Sequence, residues 1–122
     1  MSYNIDTWKT KKLKGLKIPL KALSEVPDME IKLGYSELGV RLEAYGPTEC
    51  FSLEGIVKDE LVEITKIENY GEGSGNFYYD SLLDLLEKTK GELEVVMVWE
   101  GGDSISRLKV KDGVIEEAQI EL

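Results

Sequence analysis

The stretch DSLLDLLEKTKGELEVVMVW, residues 80–99, decides the fold. Its first half spaces apolar residues as a helix does: Leu82, Leu83, Leu85 and Leu86 share one face, with Asp84, Glu87 and Lys88 opposite. Asp80 and Ser81 are good N-cap types. Lys88 and Lys90 suit the negative end of the helix dipole, and Gly91 is the expected stop. The spacing predicts a helix over 81–90. The second half, Leu93 to Trp99, changes period. It is apolar on both parities from Val95 onward, which predicts a strand in the middle of a sheet with both faces covered.

Upstream, Val62 and Ile64 alternate as a strand, but Ile67 falls on the opposite parity; a bulge or a two-sided strand would explain that. Residues 61–69, the helix and residues 93–99 then form a β-α-β unit with a right-handed crossover. Its two strands run in the same direction. Met29–Leu33, Val40–Ala44 and Phe51–Val57 alternate too, and with Val62–Ile67 they read as a four-strand meander. Earlier still, Leu16, Ile18, Leu20 and Ala22 alternate with Lys17, Pro19 and Lys21. Because Pro19 cannot donate to a ladder, this reads as an edge strand or the end of one. Thr7 to Lys14 reads as a helical turn or as extended chain, anchored by Trp8 and Leu13. Downstream, Leu108 and Val110 begin a hairpin with the type I′ signature Asp112-Gly113 at its turn. Val114, Ala118, Ile120 and Leu122 form the returning face. The expected fold is α+β: a large, mostly antiparallel sheet of about seven strands with one main helix (81–90) in a β-α-β crossover. At 122 residues the chain reads as a single domain, 1–122.

Missing residues narrow the chemistry. There is no histidine, so Ser-His-Asp and Cys-His catalysis are excluded, as are histidine-bound transition metals. General acid-base work would fall to carboxylates, tyrosine or lysine. The single cysteine, Cys50, makes no internal disulfide, which suits a reducing compartment, and beside Phe51 it reads as a small apolar group. No apolar run approaches the ~20 residues of a membrane span, and Met1 to Asp6 has no signal-peptide pattern. A cytoplasmic protein without membrane contact is expected. The net charge of −9 is uneven: residues 1–21 carry +5 and residues 22–122 carry −14. The acidic body argues against nucleic acid as the main partner. The basic arm reads as lysines on the solvent face of a segment attracted to that body.

Two polar segments follow the paired strands: Tyr70–Asn76, YGEGSGN, and Trp99–Ser104, WEGGDS. The windows 70–79 and 99–104 hold five of the twelve glycines and five of the ten aromatics, and that concentration marks the edge they share as the candidate site. The binding residues expected there are Tyr70, Glu72, Ser74, Asn76, Tyr78, Trp99, Glu100 and Asp103. The Gly71-x-Gly73-x-Gly75 spacing is wrong for a dinucleotide fingerprint, and no Gly-Lys-Ser/Thr follows, so no cofactor is expected. The aromatics beside glycine and serine suit a contact surface.

The preferred reading is a small, acidic, cytosolic, non-enzymatic interaction protein. Its candidate partners are a basic protein, matched by charge, or a small-molecule ligand. No resident metal is expected. The alternative is a small carboxylate-based hydrolase using Glu72, Glu100 and Asp103, with a divalent cation as its option. Trp8-Lys9-Thr10-Lys11-Lys12-Leu13, YGEGSG and WEGGDS resemble segments of small uncharacterised bacterial proteins. The resemblance spans most of the chain. It implies a cytosolic bacterial protein and carries no activity.

Overall fold

A computed structural model describes residues 5–46, 51–69, 76–99 and 104–120, with backbone alone for 5, 6 and 76–80. Ten elements follow in order: β1 (Ile5–Pro19), α1 (Leu20–Ser24), β2 (Glu30–Ser36), β3 (Gly39–Tyr45), β4 (Phe51–Lys58), β5 (Leu61–Asn69), α2 (Asn76–Leu86), β6 (Lys90–Trp99), β7 (Ile105–Lys111) and β8 (Val114–Ile120). The eight strands form one sheet in the order β2-β3-β4-β5-β1-β6-β7-β8. Every adjacent pair is antiparallel. This corrects the expected α+β class with about seven strands and one main helix: the chain is mostly β.

The largest correction is β1. Thr7 to Lys14 takes the extended of the two conformations open to it, and with Leu16–Pro19 it makes not a short edge strand but a fifteen-residue strand at the centre of the sheet. The lysines at 9–14 read as surface, and they are surface, but on one face of a strand paired along β6 from Ile5↔Trp99 to Lys17↔Lys90. Pro19 is tolerated because it is the last strand residue, where its missing N–H costs no ladder bond; it also precedes α1 as N-cap. The next amide, Leu20 N–H, donates to the Glu60 carbonyl at 2.9 Å.

The local turn chemistry is as expected. Asp112 and Gly113 both have positive φ, 47° and 82°, between the paired residues Lys111 and Val114, as a two-residue I′ hairpin requires. The parity break before Ile67 is a bulge: Glu54 pairs with Lys66 but Gly55 with Ile64, leaving Thr65 unpaired. The Thr65 hydroxyl then donates to the Glu54 carbonyl at 3.2 Å.

The helix is displaced from 81–90 to 76–86. Its end tightens, with Lys88 N–H donating to Leu85 and Thr89 N–H to Leu86. The buried Thr89 hydroxyl also donates to the Leu86 carbonyl at 2.7 Å, satisfying an orphan acceptor at the helix end. Thr89 therefore does what Gly91 was expected to do. Gly91 lies inside β6 with φ +95°, where a Cβ would run into the backbone of Gly15 and Leu16. It is glycine because two strands cross closely at the shift in β1 between Lys14 and Lys17.

One face of the sheet is the core. Leu16, Ile18, Leu42, Leu53, Val62, Ile67, Leu93, Val95, Met97 and Leu108 are buried there. Ala22 and Leu23 of α1 and Leu82, Leu85 and Leu86 of α2 join the same cluster. Each fully buried leucine contributes about 1.5–3 kcal/mol of transfer free energy. Leu83, expected on the packed face, is half-buried. Among the described residues no element covers the other face. Val96 and Val98 are half-buried on that open side, so the apolar parity of β6 is not explained by a second helical layer.

Candidate functional site

β5 and β6 are each antiparallel to β1, one on either side of it. They therefore run in the same direction, and their last residues, Asn69 and Trp99, finish at one end of the sheet. The N-terminal part of β1 reaches that end as well, with Thr7 opposite Val98. Of the expected site residues, Tyr70, Glu72, Ser74, Glu100 and Asp103 lie outside the described residues, as does Cys50. Asn76 and Tyr78 belong to the first turns of α2.

Trp99 is described, and it is anchored. Its backbone N–H donates to the Ser104 carbonyl at 2.9 Å, and its indole N–H donates to the Ser106 hydroxyl at 3.0 Å. Both Trp99 and Ser106 lie on the core side, since Val98 pairs with Ile105 and parity alternates from there. A second tryptophan braces the same end. The register between β1 and β5 covers Lys17–Pro19 against Leu61–Glu63, after which the two strands part. The Trp8 indole spans the gap and donates to the Ile67 carbonyl at 3.0 Å. A hollow of about 290 Å³ lies alongside, lined by Trp8, Leu13, Thr65 and Ile67 among others.

The open face divides along the strands. Toward the β7–β8 turn it is charged. Lys12 Nζ lies 3.0 Å from Glu92, and Lys111 Nζ lies 4.0 Å from the same carboxylate. Glu94 sits 3.7 Å from both Arg107 and Lys109. Acidic residues of β6 are thus flanked by bases of β1 and β7, in the cross-strand positions where opposite charges attract. The hydrogen bond from Lys12 and then its charge hold the Glu92 carboxyl below the ordinary glutamate range; desolvation opposes them, and the charges of Lys111 and Lys14 add lesser lowering effects. A shallow hollow of about 670 Å³ opens here, bordered by Lys12, Glu92, Glu94, Lys109 and Val114. Its walls pair acid with base and leave no acidic cluster. Among the described residues no three histidine, cysteine, aspartate or glutamate side chains come together as metal ligands.

Toward the other end the open face turns apolar. Val98 of β6, Ile105 of β7 and Ile120 of β8 form one row, Val98 opposite Ile105 and Ile105 opposite Ile120, and Val96 lies one step along β6, between Lys9 of β1 and Arg107 of β7. All four are half-buried, with exposed Ala118 beside them. This strip finishes at the end where β5 and β6 finish. Sequence reasoning passed over it, although the doubled parity of residues 95–99 was its signal. Among the described residues no helix is long and apolar enough to cross a membrane. No protein-family model, curated protein or solved structure matches the chain.

Proposed function

We propose that this chain is a non-enzymatic interaction protein, binding a protein partner through the end of the sheet where β5 and β6 finish. The observation that carries the reading is the apolar strip Val96, Val98, Ile105 and Ile120 on an uncovered sheet face. An antiparallel sheet with one solvated face ordinarily alternates apolar inward and polar outward. The charged half of this face obeys that rule and the apolar half departs from it. Contiguous apolar surface rimmed by polar residues marks interaction sites in soluble domains.

Trp8 and Trp99 make the underlying strand ends a firm platform, since each indole N–H is already bonded within the protein. The net charge of −9 favours a basic partner, through faster encounter and rejection of acidic competitors. The test is capture of partners from source cells on immobilised protein. Val98→Glu and Ile105→Glu should abolish capture of whatever the unmodified protein retains, with melting temperatures little changed. Lys111→Glu, at the charged end of the same face, should leave capture intact. Retention of the same partner by both apolar-strip variants would overturn the reading.

A further inference from the structure

The two edges of the sheet are built differently. At one edge, β8 carries Glu116 and Glu117 side by side. Charges on an edge strand discourage pairing with another chain. At the other edge, β2 reads Glu30-Ile31-Lys32-Leu33-Gly34-Tyr35-Ser36. Its single acid and single base, Glu30 and Lys32, lie 3.7 Å apart and offset each other. Lys32 also sits over the Tyr45 ring, 5.5 Å from its centre. The strand has no proline and no net charge. Leu33 is 61% exposed and Tyr35 is 95% exposed, and both are large hydrophobics.

The backbone decides which groups are unpaired. The two-residue turn Glu37-Leu38 closes on the pair Ser36↔Gly39. Hydrogen-bonded and outward-facing residues alternate along an antiparallel strand. Ser36, Gly34, Lys32 and Glu30 therefore bond to β3, while Tyr35, Leu33 and Ile31 point their N–H and C=O groups outward. The outward amides thus belong to the three apolar residues, whose side chains share the core-side face with Leu42 and Ala44.

The geometry points to a second copy of this chain as the occupant of that edge, paired β2 to β2 about a two-fold axis at Leu33. A symmetric dimer joined edge to edge must pair its strands antiparallel. Centring on Leu33 overlaps all seven residues. Leu33 then faces Leu33 of the second copy, Ile31 faces Tyr35, and Lys32 faces Gly34. Each outward amide meets another outward amide, no like charges oppose, and the tyrosine meets a β-branched partner, a favourable cross-strand pair. The same construction at β8, whose turn closes on Lys111↔Val114, turns Ile115, Glu117 and Gln119 outward and sets Glu117 against its own copy. The chain is therefore self-complementary at its β2 edge. This seam lies at the opposite edge of the sheet from β6–β8 and does not depend on the proposed function.

Sedimentation of the full chain across a wide concentration range tests this. The unmodified protein should show a reversible dimer that strengthens with salt, because each copy carries −9 and the seam itself is neutral. Leu33→Lys and Tyr35→Lys should each sediment as monomers with unchanged melting temperature, since both side chains are largely exposed in the single chain. Leu33→Cys in a Cys50→Ala background should oxidise to a covalent dimer, because paired Cα atoms about 5.5 Å apart lie within disulfide reach. An unmodified protein that stays monomeric throughout overturns the proposal, leaving the edge to a strand of some other protein. A dimer that survives both lysine variants, or one that Leu33→Cys fails to cross-link, overturns it equally.

Discussion

Replacing Gly91 by alanine probes the place where the fold departs most from its local signals. Gly91 and Gly15 both have positive φ, +95° and +59°. Either alanine therefore meets left-handed strain of about 1–2 kcal/mol, partly offset by the ~0.4–1 kcal/mol that alanine gains by restricting the unfolded chain. At Gly15 nothing lies near the added Cβ, so the cost ends there, at about 1 kcal/mol or less. At Gly91 the Cβ meets the carbonyl of Gly15 and the amide of Leu16, backbone atoms that no rotamer change can move aside. β1 and β6 must separate at the centre of the sheet. Overpacking of that kind adds about 1–3 kcal/mol, bringing Gly91→Ala to about 1–4 kcal/mol. Urea denaturation of the two variants measures the difference directly, provided the slopes agree. If Gly91→Ala is no less stable than Gly15→Ala, the close crossing of β1 and β6 is not what makes residue 91 a glycine, and that argument fails.

Two further outcomes follow from the core and the open face. Leu86→Ala, at a fully buried position of α2, should lower stability by ~2–4 kcal/mol through lost transfer energy and a residual cavity; an unchanged urea midpoint would mean that another face of the helix packs. Glu92 has its carboxyl depressed by Lys12 and Lys111, so its contribution is present above the unfolded-state pKa and is lost as pH falls through the lower folded-state value. Glu92→Gln should therefore flatten the stability profile on the acid side of the ordinary glutamate range and leave its slope at neutral pH unchanged, as followed by thermal melts across pH.

What the chain determined by itself is the set of features whose causes are local. Asp112-Gly113 dictates a I′ turn because both positions need positive φ, which few other residue pairs accept. Val40, Leu42 and Ala44 announce a half-buried strand because side chains alternate across any sheet, whatever its neighbours. Leu82, Leu83, Leu85 and Leu86 announce a helix by spacing alone, though its bounds are 76–86 rather than 81–90. The shared direction of β5 and β6 was also legible, because a helix between two strands of one sheet constrains it. Tertiary structure decided what depends on partners far away in sequence. The lysines of β1 signal exposure, and only pairing with β6, more than seventy residues later, makes them one face of a central strand. Gly91 looks like a helix stop until Gly15 crosses beside it. The doubled apolar parity of β6 predicts two covered faces, yet whether a face is covered depends on what packs there, and residues 93–99 carry no information about that. Nor does β2 reveal from its seven residues that it is an edge: Leu33 and Tyr35 would suit an interior strand equally well, and their exposure comes from the order of strands in the sheet.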